Sequence, residues 1–484
     1  MPVLCRPCLA LLALLSLCLS LARAATPSRP PNIIFILADD LGYGDLGSYG
    51  QKAYATPHLD ALARAGLRFT QAYSGAPVCA SSRSALMTGL TTGHTPIRGN
   101  KEIQPEGQEP LPAGTLTLPR ILQRAGYATG AFGKWGLGYP GSVGEPTQQG
   151  FDTFFGYNCQ RLGHHYHPDH LWDNTTKVVL KDNADGKHGA YAPELIHRKT
   201  LEFIERNKAK PFFLFVPTVI PHAELVAPER YMAKHRGKYG PEKPYKGTDS
   251  GPQFRQGPYE SQAEPKAAFA AMVNLLDDQV GEIVAKVRAL GLEKDTLIIF
   301  SSDNGPHDEG GHDPKSFASS GPLRGMKRDT YEGGIRVPFI AAWPGKVPAG
   351  VDSRQITAFW DLLPTFAELA GATVPTGIDG LSIAPTLLGR GGQKQHEYLY
   401  WEFHEKGGRI GLRMGNWKAV RYNVGRNPAG PLELYNLATD LSESNNVAAA
   451  HPEVVAKIET LLRGARTESP LFKFQQTGYL QKKD

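Results

Sequence analysis

Two pairs of oxygen-bearing side chains stand directly after apolar stretches of this sequence. Asp39 and Asp40 end the stretch PNIIFILADD, and Asp303 and Asn304 follow TLIIFSS. Each apolar run has the length and composition of a strand buried on both faces of a sheet. Ligands of open α/β sheets bind beyond the carboxyl ends of the strands, and hard oxygens suit calcium or magnesium. One pair alone is typical of a solvated acidic loop, but two pairs at strand ends favour a metal site.

A further candidate lies in APVCASSRSALMTG, residues 76–89, where Cys79 precedes Arg83 by four positions. Cys79 and Cys159 are the two cysteines that remain after an N-terminal leader. Two cysteines do not make a disulfide scaffold, and we expect Cys159 to be a small buried apolar residue. A thiol kept in an exported protein needs a reason, so Cys79 is a candidate functional residue.

Three cationic side chains follow other apolar segments. Lys134 comes after YATGAFG, His222 lies in FLFVPTVIPHAEL, and Lys327 lies in GPLRGMKRDTYEGG. A single cation in such a Gly- or Pro-rich loop is normally a solvated side chain. Several cations close to a metal suit a tetrahedral oxyanion, because its charge is spread over its equatorial oxygens.

Residues 1–25 have the pattern of a secretory signal peptide. The apolar run LALLALLSLCLSLA ends in small residues and is short for a membrane span. No later segment approaches about 18 consecutive apolar residues, so we expect an exported, periplasmic or extracellular protein without stable membrane insertion. The formal charge is +6 with the leader, and no dense Lys/Arg stripe is present. This weak basicity fits an anionic substrate and argues against a nucleic-acid partner.

Helical patterns alternate with buried-strand patterns through most of the chain. TPHLDALARAG predicts a helix with Thr56 as its N-cap, and ITAFWDLLPTFAELAG predicts a helix kinked at Pro364. Such alternation is typical of an α/β domain with a largely parallel sheet. Towards the C-terminus the pattern changes to short strands joined by turns, followed by one amphipathic helix. We therefore predict a large domain over 26–393 and a small α+β domain with an antiparallel sheet over 394–484.

Five motifs occur together over nearly the whole chain: the strand-end ADD, CASSRSALMTG, GYATGAFGKWGLG, SSDNG and LRGMKRDTYEGGIRVP. This set resembles the type I sulfatases, the formylglycine-dependent, arylsulfatase-like branch of the alkaline phosphatase superfamily. The resemblance implies an alkaline phosphatase-like fold, with a large mixed, mostly parallel sheet flanked by helices and a smaller C-terminal domain. It also implies a sulfuric ester hydrolase that acts on a sulfate ester, with a sulfated carbohydrate as the expected substrate.

The resemblance assigns a role to each candidate residue. A formylglycine-generating enzyme would oxidise Cys79 to formylglycine (3-oxoalanine), and Arg83 would steady the hydrated aldehyde, which is the nucleophile. An ordinary Ser or Cys would leave a stable sulfated enzyme, whereas a geminal diol expels sulfate with its second hydroxyl. The implied ligands of calcium, or of magnesium, are Asp39, Asp40, Cys79, Asp303 and Asn304. The side chains implied to bind sulfate or to protonate the leaving alcohol are Lys134, His222 and Lys327.

Gly136 departs from the family pattern, because many members have histidine at this position of GKWGLG. One candidate proton donor is therefore missing. The stretch GYNCQRLGHHYHPDHLW offers nearby replacements, which are His164, His165, His167 and His170. We expect His222 to be the acid and His164 or His167 to contact the sugar. The alternative is a histidine-rich loop without a role or with an unrelated metal.

Ser81 is a second departure, since the family has proline or alanine there. The formylglycine-generating enzyme binds this segment in an extended state, which proline favours. Ser81 in place of proline therefore affects how efficiently Cys79 is converted. Two other functions therefore stay open. A phosphodiesterase or phosphonate hydrolase of the same superfamily would use the same pocket. A non-catalytic sulfoglycan-binding protein would keep the pocket with Cys79 unconverted.

Overall fold

A ten-stranded mixed sheet forms the centre of the fold, in a computed structural model that describes residues 29–250 and 259–474. The predicted signal peptide, residues 1–25, lies outside the described residues. The strands in chain order are β1 (Asn32–Ala38), β2 (Leu67–Phe69), β3 (Ala72–Tyr73), β4 (Ala128–Lys134), β5 (Thr153–Tyr157), β6 (His170–Asp173), β7 (Thr176–Val179), β8 (Phe212–Pro217), β9 (Thr296–Ser302), β10 (Phe339–Ala342), β11 (Val351–Ser353), β12 (Thr357–Ala358), β13 (Leu399–Phe403), β14 (Arg409–Met414), β15 (Trp417–Tyr422) and β16 (Glu433–Asn436).

The large sheet has the strand order β11-β2-β10-β9-β1-β8-β4-β5-β6-β7. Its central strands, from β9 to β5, run parallel, and antiparallel pairs occur on both sides of them. The central strand β1, NIIFILA, is fully buried because both of its faces are covered by helices. The parallel centre places the ends of β1, β4, β8 and β9 at one edge of the sheet.

Helices cover both faces of this sheet. On one face, α1, α4 and α6 bury apolar side chains against Ile34 and Ile36, and on the other face α2, α3 and α8 pack against Phe35 and Leu37. The helices in chain order are α1 (Pro57–Ala65), α2 (Cys79–Thr88), α3 (Leu118–Arg124), α4 (Ala192–Asn207), α5 (Glu229–Met232), α6 (Pro265–Ala289), α7 (Glu332–Ile335), α8 (Leu362–Leu369), α9 (Ala384–Leu387) and α10 (Pro452–Gly464).

A second sheet, β13-β14-β15-β16, is an antiparallel meander near the C-terminus. Its helix α10 buries Ile458 against Leu412 and Leu434 of the meander. The predicted fold class is confirmed, with a mostly parallel large sheet and a C-terminal antiparallel sheet. From Pro31 onward the described residues form one compact unit. The boundary between 26–393 and 394–484 stays a prediction.

Two local predictions about helices are wrong. The helix α1 has the expected bounds, but the Thr56 side chain does not cap it. The carboxylate of Asp277 on α6 accepts from the first backbone N–H groups of α1 instead. Pro364 does not kink a longer helix, because α8 begins at Leu362 and the proline lies in its first turn, where it costs no helical hydrogen bond.

Candidate active site

The carboxyl ends of β1 and β9 bring the two acidic pairs together. The strands are parallel neighbours that end in register, so the residues after them leave the sheet side by side. The Asp40 backbone N–H donates to Asp303 Oδ1 at 3.1 Å, and the Asn304 amide donates to Asp40 Oδ1 at 2.6 Å. Asp40 has a left-handed backbone, with a φ of 62°. Asp39, Asp40, Asp303 and Asn304 are all buried at this strand edge, as the sequence predicts.

Cys79 is the first residue of α2 and faces the acidic group. Its Sγ lies 3.4 Å from Asp39 Oδ1, 4.0 Å from Asp40 Oδ1 and 3.9 Å from Lys134 Nζ. Burial raises the pKa of the Cys79 thiol well above its usual value, and the negative charge of Asp39 raises it further. This shift disfavours the thiolate, which is the nucleophilic form of cysteine.

Lys134 and Arg83 provide positive charge on one side of the acidic group. Lys134 Nζ donates to Asp39 Oδ2 at 2.6 Å, and Arg83 Nη2 donates to Asp303 Oδ2 at 2.8 Å. Arg83 also donates to the backbone carbonyl of Lys134. Burial alone would raise the pKa of Asp39, but the charges of Lys134 and Arg83 outweigh burial and keep this carboxylate ionised. Arg83 thus fixes Asp303 and the end of β4 relative to each other.

Lys327 provides positive charge on the other side. Its Nζ donates to Asp40 Oδ2 at 2.8 Å and to Glu309 Oε2 at 2.9 Å, and it lies 3.0 Å from His222 Nε2. Three acceptors around one ammonium group account for all three of its N–H bonds. Lys327 is buried, and Glu309 is a residue that the sequence reasoning did not identify.

His222 is a neutral hydrogen-bond acceptor in this arrangement. Its Nδ1 donates to the Ala223 carbonyl, because a carbonyl oxygen can only accept. Its Nε2 therefore carries a lone pair and accepts from Lys327. Burial lowers the pKa of His222 well below its usual value, and the charge of Lys327 lowers it further. In this geometry the proton nearest the site belongs to Lys327 rather than to His222.

Of the two histidines expected to contact a sugar, the structure brings only His164 to this cluster. The His164 ring stacks on His222, with centroids 4.7 Å apart. His167 faces another part of the fold, where its ring stacks on His188 at 4.5 Å and its Nδ1 contacts the Ala190 carbonyl. The chain turns between these positions, after a short 3-10 segment that ends at His164.

Two family models match this chain. The model described as "Sulfatase" covers residues 31–372. The chain belongs to the sulfatase family. The model described as "N-sulphoglucosamine sulphohydrolase, C-terminal" covers residues 326–468 and includes the antiparallel sheet. The sulfatase is accordingly a sulfuric ester hydrolase.

Curated relatives and solved structures agree with this assignment. Human arylsulfatase A is 33% identical, and the alignment covers 92% of this chain and 90% of the relative. The N-acetylgalactosamine-6-sulfatase of Rattus norvegicus is 34% identical over 75% of this chain and 67% of the relative. The crystal structure of Ps i-CgsB has a TM-score of 0.75 at 28% identity and covers 92% of this chain and 95% of its own. Ps i-CgsB has also been crystallised with k-i-k-neocarrahexaose.

The acidic group of the sulfatase fits a divalent cation. Asp39 and Asp40 offer carboxylate oxygens within 4.8 Å of each other, of Cys79 Sγ and of a His222 nitrogen. The Asn304 side-chain oxygen is buried and has no hydrogen-bond partner among the described residues, as expected of an atom reserved for a ligand. Burial and, after it, the charge of Asp39 raise the pKa of Asp303, and a bound cation would favour its ionised form.

Several site residues of the sulfatase were missed from the sequence. Glu309 pairs with Lys327 and with Arg328, whose Nη2 lies 2.6 Å from Glu309 Oε1. The Tyr259 hydroxyl donates to Glu309 at 3.2 Å, and its ring meets His164 edge-on. The one available signal for Glu309 was its position in DNGPHDEGG, shortly after the end of β9. No periodicity or composition marked Tyr259.

The space beside Gly136 is filled by a glutamine and not by a histidine. Gly136 has a φ of 76°, and a Cβ added to it would overlap the side-chain amide nitrogen of Gln160. A larger residue at position 136 would therefore need both a strained backbone and a displaced Gln160. The arrangement of the sulfatase depends on glycine here.

Proposed function

We propose that this sulfatase is exported and hydrolyses a sulfate ester on a sulfated carbohydrate, using a formylglycine hydrate derived from Cys79 and a bound calcium or magnesium ion. The observation that carries the proposal is the position of Cys79 Sγ, which is buried between Asp39 and Lys134. The names of the relatives, which include an N-acetylgalactosamine-6-sulfatase, support a sulfated sugar. Among the described residues no helix is long and apolar enough to cross a membrane.

In this mechanism Cys79 Sγ stands where one hydroxyl of the hydrate would be. That hydroxyl attacks sulfur, the bond from sulfur to the sugar oxygen breaks, and the sugar alcohol leaves with a proton. The second hydroxyl then loses its proton, expels sulfate and restores the aldehyde. The residues that would hold the cation are Asp39, Asp40, Asp303, Asn304 and residue 79. When bound, the cation would supply charge neutralisation and polarise a sulfate oxygen.

The cationic residues would bind sulfate, donate a proton to the leaving group and position the other residues. Lys134 pairs with Asp39, whereas Lys327 pairs with Asp40. The two ammonium groups would therefore contact different sulfate oxygens. Lys327 also holds the proton next to neutral His222, so it is our candidate donor to the leaving sugar oxygen, to which it would turn one of the three N–H groups that Asp40, Glu309 and His222 accept. This replaces the expectation that His222 is the acid. Arg83 acts as a positioning residue, because its hydrogen bonds go to Asp303 and to the backbone of Lys134.

Mass spectrometry and two substrates test the proposal. The tryptic peptide from Phe69 to Arg83 contains the motif cysteine, and protein from a host with a formylglycine-generating enzyme should show the aldehyde in it. The same preparation should hydrolyse 4-nitrophenyl sulfate and N-acetylgalactosamine 6-sulfate faster than an aryl phosphodiester. A faster phosphodiester would favour the related hydrolase. Unconverted thiol in the native host, with no turnover, would favour a sulfoglycan-binding protein.

A further inference from the structure

Among the buried amide side chains that carry a polar atom without a partner in the described residues, three lie next to the segment Gly136–Gly138. Both amide atoms of Asn158, both of Gln160 and the Nε2 of Gln108 are buried and accept or donate no hydrogen bond within the described chain. The three side chains, which we call the amide cluster, are at most 3% exposed. Buried polar side-chain atoms nearly always have a hydrogen-bond partner, and leaving one without a partner destabilises the fold. The cluster therefore has the properties of a site that receives a ligand.

Backbone hydrogen bonds hold the amide cluster together around Gly136. The Gly136 N–H donates to the Asn158 carbonyl at 3.0 Å, and the Gln160 N–H donates to Gln108 Oε1 at 2.6 Å. The Gln108 N–H donates in turn to the Gly138 carbonyl at 3.1 Å. The absent side chain of Gly136 leaves the space that the Gln160 amide occupies. These contacts place the three amides in one region.

The amide cluster adjoins the catalytic cations. Gly136 follows Lys134 by two positions at the end of β4. The segment that carries Asn158 and Gln160 continues across Lys134, where a Cβ on Gly163 would lie 3.1 Å from Lys134 Cδ. The next residue, His164, stacks on His222. One segment thus runs from the amide cluster to the ammonium and imidazole groups that face Cys79.

The chemistry of the amide cluster suits a neutral polyhydroxylated group. Asn158 and Gln160 each offer a donor and an acceptor, as a pair of sugar hydroxyls requires, Gln108 offers a donor, and none carries a charge. A sulfate or carboxylate would leave the amide oxygens unsatisfied. We infer that the amide cluster binds hydroxyl groups of the sugar from which sulfate is removed. This inference rests on the proposed sulfatase function and adds the part of the site that recognises the leaving group.

A substrate comparison tests this inference. Gln160→Met keeps the size of the side chain and removes its amide. The variant should lose about tenfold or more in kcat/KM for the sulfated sugar that wild type hydrolyses best, from a panel that begins with N-acetylgalactosamine 6-sulfate. It should hydrolyse 4-nitrophenyl sulfate within about twofold of wild type, since an aryl group has no hydroxyls to bind. Gln149→Met is the matched control, because Gln149 is equally buried and donates to the Val143 carbonyl, outside the cluster.

Each outcome is decisive. The inference is supported if Gln160→Met loses kcat/KM for the sulfated sugar only, and if the ratio of sugar to aryl kcat/KM in Gln149→Met equals that of wild type. Equal losses on both substrates, or no loss on either, overturn it and leave an amide cluster that binds only water. Wild-type enzyme that cleaves the aryl sulfate but no sugar in the panel also overturns it, while sulfatase chemistry stands. Enzyme with verified formylglycine that cleaves neither substrate overturns the proposed function itself.

Discussion

Replacing Lys327 with methionine should slow the hydrolysis of a sulfated sugar far more than that of an aryl sulfate. The Lys327 ammonium donates to Asp40 and Glu309 and meets the unprotonated Nε2 of His222 at 3.0 Å. It is therefore the group in this cluster that carries a transferable proton towards the reacting centre. A sugar alkoxide is a poor leaving group and needs that proton, whereas a nitrophenolate leaves with little help.

The expected magnitude follows from separating two losses. Proton donation to the leaving group contributes about 10²–10⁴-fold, and only the sugar substrate loses it. Lost attraction to the sulfate affects both substrates equally. Lys134→Met isolates this second effect, because the Lys134 ammonium donates to Asp39 and lies near Cys79 and, among the described residues, makes no hydrogen bond to a histidine. The ratio of sugar to aryl kcat/KM should thus fall at least about a hundredfold in Lys327→Met and stay near the wild-type value in Lys134→Met.

The assay needs a control for folding. Removing Lys327 leaves Asp40 and Glu309 without this partner, and breaking a buried ion pair costs about 3–5 kcal/mol. Glu309 keeps Arg328 as a partner, so the comparison of Tm between Lys327→Met and Lys134→Met, which removes the ammonium that pairs with Asp39, separates lost folding from lost sugar hydrolysis. Equal losses on both substrates for Lys327→Met would refute its role as the acid. A selective loss in His222→Gln instead would return that role to the histidine.

Three further changes have defined outcomes. Ser81→Pro should raise the fraction of formylglycine that mass spectrometry finds in the peptide Phe69–Arg83. Its Tm should stay nearly unchanged, because residue 81 lies in the first turn of α2, where proline is tolerated. An unchanged fraction would show that Ser81 does not limit the conversion. Asn304→Ala should weaken calcium binding at least about tenfold by calorimetry with little change in Tm, and unaltered affinity would contradict its place among the ligands. Burial raises the pKa of Glu443 to about 8, from an ordinary value of 4.5, so this carboxyl is protonated in the fold. Stability should then fall as pH rises from about 5 to 8, by at most about 5 kcal/mol, and Glu443→Gln should flatten that dependence of Tm on pH.

The sequence predicts those parts of the site that lie at strand ends. An apolar run followed by acidic residues identifies both a buried strand and the edge at which it ends, so the convergence of Asp39, Asp40, Asp303 and Asn304 follows from parallel pairing alone. The same reasoning locates Lys134 at the end of β4. Local patterns also predict the bounds of α1 well. These features depend on residues close together in the sequence or on one rule of sheet topology.

Features that depend on distant partners were not predictable in this way. The cap of α1 comes from Asp277, more than two hundred positions later, and only the packing of α6 on α1 brings it there. His164 and His167 look equivalent in the sequence, yet a turn between them sends one ring to His222 and the other to His188. Glu309 gains its role through Lys327 in the same way.

The charges around Cys79 explain why an unmodified thiol is a poor choice of nucleophile in this site. Ionising the thiol would place a further negative charge 3.4 Å from Asp39 and 4.0 Å from Asp40, within a fully buried group. Burial and Asp39 accordingly raise the pKa of the thiol. A hydrated aldehyde avoids this problem, because its hydroxyls are neutral and lose a proton only as the bond to sulfur forms. The acidic residues thus disfavour the thiolate while no cation is bound, whereas the neutral hydroxyls of the converted residue that we propose suit the site with and without a cation.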